Sequence, residues 1–117
     1  MAKETYTDGT VSGVGDYDAD GRRHGPWVFF HKNGREEARG VFDHDKLQGF
    51  WTWWRTNGEL LQKGAFEQHV QVGHWERYFD NGRLWDVGEY TAEGRRVGEW
   101  KVYDRDGTLK KTTQHSG

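Results

Sequence analysis

One motif returns along this chain at a fixed interval, and such self-similarity is the signature of a stacked array in which each unit packs only on its neighbours. Gly-x-Trp stands at Gly25-Pro26-Trp27, Gly49-Phe50-Trp51, Gly73-His74-Trp75 and Gly98-Glu99-Trp100, in steps of 24, 24 and 25 residues. Three residues beyond each Trp is another ring (Phe30, Trp54, Tyr78, Tyr103), and seven beyond is a glycine (Gly34, Gly58, Gly82, Gly107). Gly40, Gly64 and Gly88 follow, with Phe42, Phe66 and Tyr90 two residues after them. Gly9, Val11, Gly15 and Tyr17 fit the second half of a unit, whereas Thr113 stands where a further glycine would fall. The frame therefore divides 1–117 into a half unit 9–24, units 25–48, 49–72 and 73–97, a degenerate unit 98–113 and a polar tail 114–117.

Composition says what the core of such an array is made of. Leu, Ile, Val and Phe together make only 20 of 117 residues, few enough to suggest disorder. Against that, the net charge is only −2, and seven Trp, five Tyr and six Phe supply the missing apolar area. The chain is expected to fold as one domain around rings. Having no Cys, it has no thiol catalysis, disulfide or Cys-ligated metal. Its short apolar runs and its start, MAKETYTDG, predict neither a membrane span nor a signal peptide, and so a cytoplasmic protein. A pI near 6.3 with interspersed charge argues against nucleic-acid or anionic-membrane partners.

Punctuation gives the secondary structure. Asn33-Gly34, Asn57-Gly58, Asn81-Gly82, Asp106-Gly107 and Asp8-Gly9 read as type I′ hairpin turns. Between them lie β-forming runs such as WVFF, WTWW and WKVY, too short for helices. Nine strands are expected, near 10–17, 26–31, 35–43, 50–56, 59–67, 74–79, 83–91, 99–104 and 108–113. The predicted fold is all-β: a single elongated, twisted antiparallel sheet of stacked β-hairpins.

The recurring residues have the form Gly-x-Trp-x-x-Tyr-x-x-x-Gly-x-Leu, which resembles the MORN repeat in its bacterial variant over roughly residues 9–110. Bacterial proteins built almost wholly from that variant are commonly labelled YwqK-like antitoxins, a label inherited from similarity. The resemblance implies a small cytoplasmic protein that binds and neutralises a partner protein, without cofactor or catalytic motif.

Catalytic chemistry finds little support in the residues themselves. The only serines, Ser12 and Ser116, lie in the terminal half unit and the tail, away from any nucleophile elbow. Carboxylates such as Glu36, Glu37, Asp43 and Asp45 read as solvated turn and edge charge. His24, His31, His44, His69, His74 and His115 contain no HxH or HxxxH pair and share no repeat position, so no metal site is expected; Asp43, His44 and Asp45 form at most a weak local cluster. The glycines fall on turn positions and form no phosphate loop. Arg22-Arg23 and Arg95-Arg96 occupy equivalent long turns and read as solubilising charge.

Rings that recur in frame are required by the fold, as ladders of stacked side chains. Rings out of frame are not. Phe50 stands where other units have Pro26, His74 and Glu99; Trp53 and Phe29 share a column with Arg77 and Val102. Trp85 replaces Glu37, Leu61 and Lys110, and Phe79 replaces His31, Arg55 and Asp104. Surplus rings on a single-layer sheet make an apolar patch of the kind that receives a partner. Phe50, Trp53, Phe79, Trp85 and Phe29 are the candidate protein-binding residues. Two other readings remain: a scaffold that self-associates into homo-oligomers through its open sheet edges, and a ligand binder that stacks sugars on the sheet.

Overall fold

The computed structural model describes residues 1–117 as one ten-stranded antiparallel sheet in which every strand pairs with its neighbours in sequence. The strands are β1 (Ala2–Thr5), β2 (Val11–Tyr17), β3 (Arg23–Phe30), β4 (Glu36–Asp43), β5 (Lys46–Trp54), β6 (Leu60–Glu67), β7 (Val70–Tyr78), β8 (Leu84–Tyr90), β9 (Arg96–Tyr103) and β10 (Leu109–Ser116). The sheet measures 44 × 31 × 17 Å. The all-β, elongated, single-sheet architecture is as expected. The tenth strand is β1, whose four residues, three of them polar, carry no β-pattern and are ordered by pairing Ala2 with Gly15 and Lys3 with Val14.

Two kinds of turn join the strands, and they invert the expectation. At Asn33-Gly34 the Gly34 N–H donates to His31 O and the His31 N–H to Arg35 O. Only the glycine has positive φ, 88°. That is a tight turn followed by a left-handed glycine bulge, not a type I′ turn, and it recurs at Gly9, Gly21, Gly58, Gly82, Gly94 and Gly107. The I′-like turns, with both central residues left-handed, fall where there is no glycine: His44-Asp45 (φ 48° and 73°) and Gln68-His69 (48° and 76°). Side chains hold them. Asp45 Oδ1 accepts from the Arg23 amide at 2.7 Å, and His69 Nδ1 from the Leu47 amide at 3.2 Å.

The repeat has its physical basis in a Trp lying flat on a glycine. Trp27, Trp51, Trp75 and Trp100 cover Gly15, Gly40, Gly64 and Gly88 of the preceding strand, so closely that a Cβ there would sit 2.1–2.2 Å from the indole. Each indole N–H reaches the carbonyl one residue past its glycine: Asp16, Val41, Ala65 and Glu89, at 2.9–3.1 Å. A single sheet can thus bury its Trp rings almost completely, Trp27 to 1 % and Trp51 to 2 % exposure. The positive-φ glycine two residues before each Trp, as at Gly49 (71°), marks the irregular register that turns the ring onto its glycine.

Alternation along the strands sorts the remaining rings. Tyr17, Phe42, Phe66 and Tyr90 share the Trp face and meet Trp27, Trp51, Trp75 and Trp100 edge to face at 5.0–5.4 Å. Phe30, Trp54, Tyr78 and Tyr103, three residues past each Trp, occupy the opposite face. There a polar side chain from the preceding unit hydrogen-bonds the ring residue's carbonyl: Tyr6 to Phe30 (2.6 Å), His31 to Trp54 (2.9 Å) and Arg55 to Tyr78 (3.0 Å). Phe79, at the next such position, has no polar tip to do the same.

Candidate functional site

Rings of one column stand two strands apart, about 9.6 Å, which is too far for direct stacking. Phe29 and Trp53 fill the gaps. Trp27, Phe29, Trp51, Trp53 and Trp75 form one continuous stack with centroids 5.6, 6.3, 5.7 and 6.0 Å apart and planes within 31°. Phe29 and Trp53 are half-buried against the core, and their outer edges line a shallow groove of about 380 Å³ with Leu47 on its floor and Arg23, Asp45 and His69 around it. Arg23 closes one end, its guanidinium 5.0 Å from the Phe29 ring centroid and bidentate on Glu4 at 2.6 and 3.0 Å. The bond from Arg23 holds the Glu4 carboxyl below its ordinary range despite the partial burial that opposes this.

Beyond Trp75 the stack is interrupted. Arg77 takes the column position of Phe29 and Trp53, and Asp86, 3 % exposed, takes that of Ala38. The two form a bidentate pair, Nε to Oδ1 at 2.9 Å and Nη2 to Oδ2 at 2.5 Å. Hydrogen bonding to Asp86 raises the already high pKa of Arg77. The Arg77 guanidinium also lies 4.1 Å from the Trp85 ring, Phe79 stacks on Trp85 at 5.6 Å, and Arg105 stands 5.5 Å from Phe79. Trp85 and Phe79 are thus brought together with two cations against them. A polar groove of about 390 Å³ runs from there past Arg96, which lies 4.3 Å over Trp100, to Lys110, Lys111 and His115.

Phe50 is placed unlike the other four. It projects from the face opposite the Trp rings, paired across the strand with Ala65, and is 60 % exposed. Pro26 and Val41 pair on the neighbouring strands, and both are exposed. In the next unit the corresponding positions are His74 and Glu89, so the apolar patch ends there. On that face Glu76 accepts hydrogen bonds from Tyr78 Oη and His74 Nε2, the latter at 2.8 Å, with Lys63 Nζ 3.6 Å away. Burial works to raise the Glu76 pKa, but these donors outweigh it and the net shift is downward. Burial, reinforced by Glu76, pushes the Tyr78 phenol up to about 12.

The histidines are the group that spacing did not bring together. His24, at the start of β3, and His44, in the turn after β4, hold different repeat positions and stack face to face at 4.2 Å beside Asp43 and Asp18. No pairwise spacing motif marks them; they meet because the start of β3 lies against the turn between β4 and β5.

The MORN repeat variant pattern matches residues 96–115, which span β9, β10 and the turn between them. These include Gly98, Trp100, the ring of Tyr103 and Gly107, whose equivalents recur in every full unit, and Leu109, which recurs as Leu60 and Leu84 but is Glu36 in the first. The matched stretch is the unit that the frame alone marks as degenerate. No protein of curated function matches the sequence. Among solved structures, the fold is similar to a mutant of S. aureus TarM in complex with Fondaparinux, alpha-GlcNAc-glycerol and UDP, at TM-score 0.50 and 10% identity over 88% of this chain and 20% of that one. A further TarM crystal structure (TM-score 0.48, 12% identity, 86% of this chain and 19% of that one) and a GtfA/B complex bound to UDP and GlcNAc (0.43, 14%, 87% and 23%) also match. The chain spans about a fifth of the length of these proteins, and at 10% identity the likeness to the TarM mutant is one of fold alone. The MORN repeat variant pattern is thus matched in one unit of the chain, and the frame carries that unit's Gly, Trp and turn positions through the rest of the all-β sheet.

Proposed function

We propose that this module works by binding another protein, as an antitoxin or immunity protein that covers a toxin's working surface, and that Phe50 is the anchor of the contact. The observation that carries the reading is a large ring left 60 % exposed in the middle of the sheet, the most exposed Phe, Tyr or Trp in the chain. Phe50 is flanked by exposed Val41 and Pro26 and bordered by His74, Glu76 and Glu89. An apolar centre with a charged rim is the anatomy of a binding hot spot. On the other face, the outer edges of Phe29 and Trp53 and the Trp85–Phe79 pair offer a second aromatic surface. The neutralising role itself rests on the resemblance to the YwqK-like family.

Surface binding is favoured over edge-to-edge self-association by the edges themselves. β1 has only four residues, and β10 carries Lys110 and Lys111, both of which discourage strand addition. The test is capture from the native host with Phe50→Glu beside the parent. A stoichiometric partner, toxic when expressed alone and lost with Phe50→Glu at unchanged melting temperature, supports the reading. Recovery of the chain alone as an oligomer would shift it to a scaffold.

A further inference from the structure

The geometry points to a zinc-binding site formed by His24, Asp43 and His44, with Asp18 as the residue that positions His44. The three donors converge where the start of β3 meets the end of β4 and the turn that follows it. Asp43 Oδ1 lies 3.7 Å from His44 Nε2 and 3.9 Å from His24 Nδ1. In a tetrahedral zinc site with bonds of about 2.0–2.1 Å, neighbouring ligand atoms stand ~3.3 Å apart. The three donor atoms lie within 4.8 Å of one another, and one of the two stacked imidazoles must turn out of the stack to aim its lone pair at the ion, a rotation open to side chains about half exposed.

What distinguishes the cluster from chance proximity is its outer shell. His44 Nδ1 is 2.5 Å from Asp18 Oδ2, so the ring carries its proton there and leaves the Nε2 lone pair facing Asp43. Asp18 is itself fixed, accepting from the amides of Asp20 and Arg22 at 2.8 and 3.0 Å and from Arg22 Nε at 3.0 Å. Asp43 is oriented from its other side, because Gln68 Nε2 donates to Oδ2 at 2.6 Å and leaves Oδ1 free. His24 Nδ1 accepts the His44 amide at 3.2 Å, a long bond that coordination would replace. A carboxylate–imidazole–metal relay is the usual way a protein sets the tautomer of a histidine ligand. Two imidazoles and one carboxylate suit zinc better than calcium or magnesium.

The next unit shows that the turn does not need these residues. At the same repeat positions it has Gln48, Glu67 and Gln68, where the Gln68 amide donates to Gln48 Oε1 at 2.7 Å and Gln48 Nε2 to Glu67 at 3.0 Å. The backbone is the same, φ being 48° at both His44 and Gln68. One unit thus closes its turn with amides and the other with two potential metal ligands.

That equivalence supplies the experiment: calorimetric titration of the full chain with zinc chloride, for the parent, for His24→Gln/His44→Gln, which copies the neighbouring unit, and for Asp18→Asn. The parent binds one zinc per chain. The double variant loses that site with an unchanged urea midpoint, and Asp18→Asn weakens it about 10- to 100-fold. Should the double variant fail to fold, His24→Gln alone carries the same test. No saturable binding by the parent, or undiminished binding by a folded variant lacking His24, overturns the site. Full affinity in Asp18→Asn overturns the positioning role and the two-shell geometry with it.

Discussion

Gly64→Ala adds a single methyl group, and the structure predicts that it is among the most damaging substitutions of that size. The new Cβ would stand 2.1 Å from Trp75 Cδ2, where ordinary contact is about 3.6 Å, so the indole must move by roughly 1.5 Å. It has nowhere to go without loss. Trp75 is 3 % exposed, its N–H is bonded to the Ala65 and Val72 carbonyls at 3.1 Å, and Phe66 packs edge-on against it at 5.2 Å. Overpacking of a core costs about 1–3 kcal/mol, and full loss of a Trp's packing about 3–5 kcal/mol. Gly64→Ala should fall between, near 3 kcal/mol. Gly21→Ala is the matched control: its φ is +80° but nothing lies within 4 Å of the added Cβ, so only backbone strain of about 1–2 kcal/mol applies. Urea unfolding followed by Trp fluorescence measures both as midpoint shifts at constant slope. Trp75→Phe should relieve part of the Gly64→Ala defect, making the double variant less destabilised than the sum of the singles. A Gly64→Ala no worse than Gly21→Ala, or strict additivity with Trp75→Phe, would refute the ring-on-glycine account.

Further outcomes follow from the same geometry. Trp53→Ala removes the half-buried ring that joins Trp51 to Trp75 and should cost about 2–3 kcal/mol, below the range for a fully buried Trp, whereas Phe50→Ala, 60 % exposed, should change stability by no more than about 0.5 kcal/mol by the same unfolding assay. Arg77→Ala strands the buried Asp86 carboxylate and should cost about 3–5 kcal/mol, but Arg77→Phe with Asp86→Ala copies the Phe29–Ala38 pair and should match or exceed parent stability in thermal melts. Tyr78 is held neutral in the fold, with its pKa raised from 10.0 to about 12, so the stability it contributes is complete below pH 10 and lost as pH rises towards 12. Tyr78→Phe should flatten that part of the alkaline unfolding profile. Glu4 is shifted the other way: its contribution is present above the ordinary carboxylate range and fades as pH falls through its lowered pKa, a loss that Glu4→Gln should remove from acid unfolding curves.

The repeat made the sheet legible, because Gly, ring and turn positions recur often enough to fix strand order without any knowledge of contacts. It did not reveal how the rings meet. Treating each column as a ladder overlooks that its members stand two strands apart, so the true stack alternates Trp27 and Trp51 with Phe29 and Trp53 from a different column. The turns were misread for a related reason. Asn-Gly suits a type I′ turn and a glycine bulge alike, and hydrogen bonds to the next unit, such as Asn33 Nδ2 to Thr56 O at 2.8 Å, go with the bulge here. β1 was invisible because its polar residues are ordered only by the partner strand. His24 and His44 came together because the start of β3 lies against the turn between β4 and β5, which no local spacing encodes.

The central claim is that Phe50 anchors a protein partner on the face opposite the Trp rings. Its most direct test is a binding titration of the captured partner against the parent, Phe50→Glu and Lys111→Glu, the last altering only the Trp-face groove. The account predicts that Phe50→Glu abolishes binding while Lys111→Glu and the melting temperatures of all three stay near parent values. Undiminished binding by Phe50→Glu, or loss only with Lys111→Glu, would contradict it and move the partner to the other face.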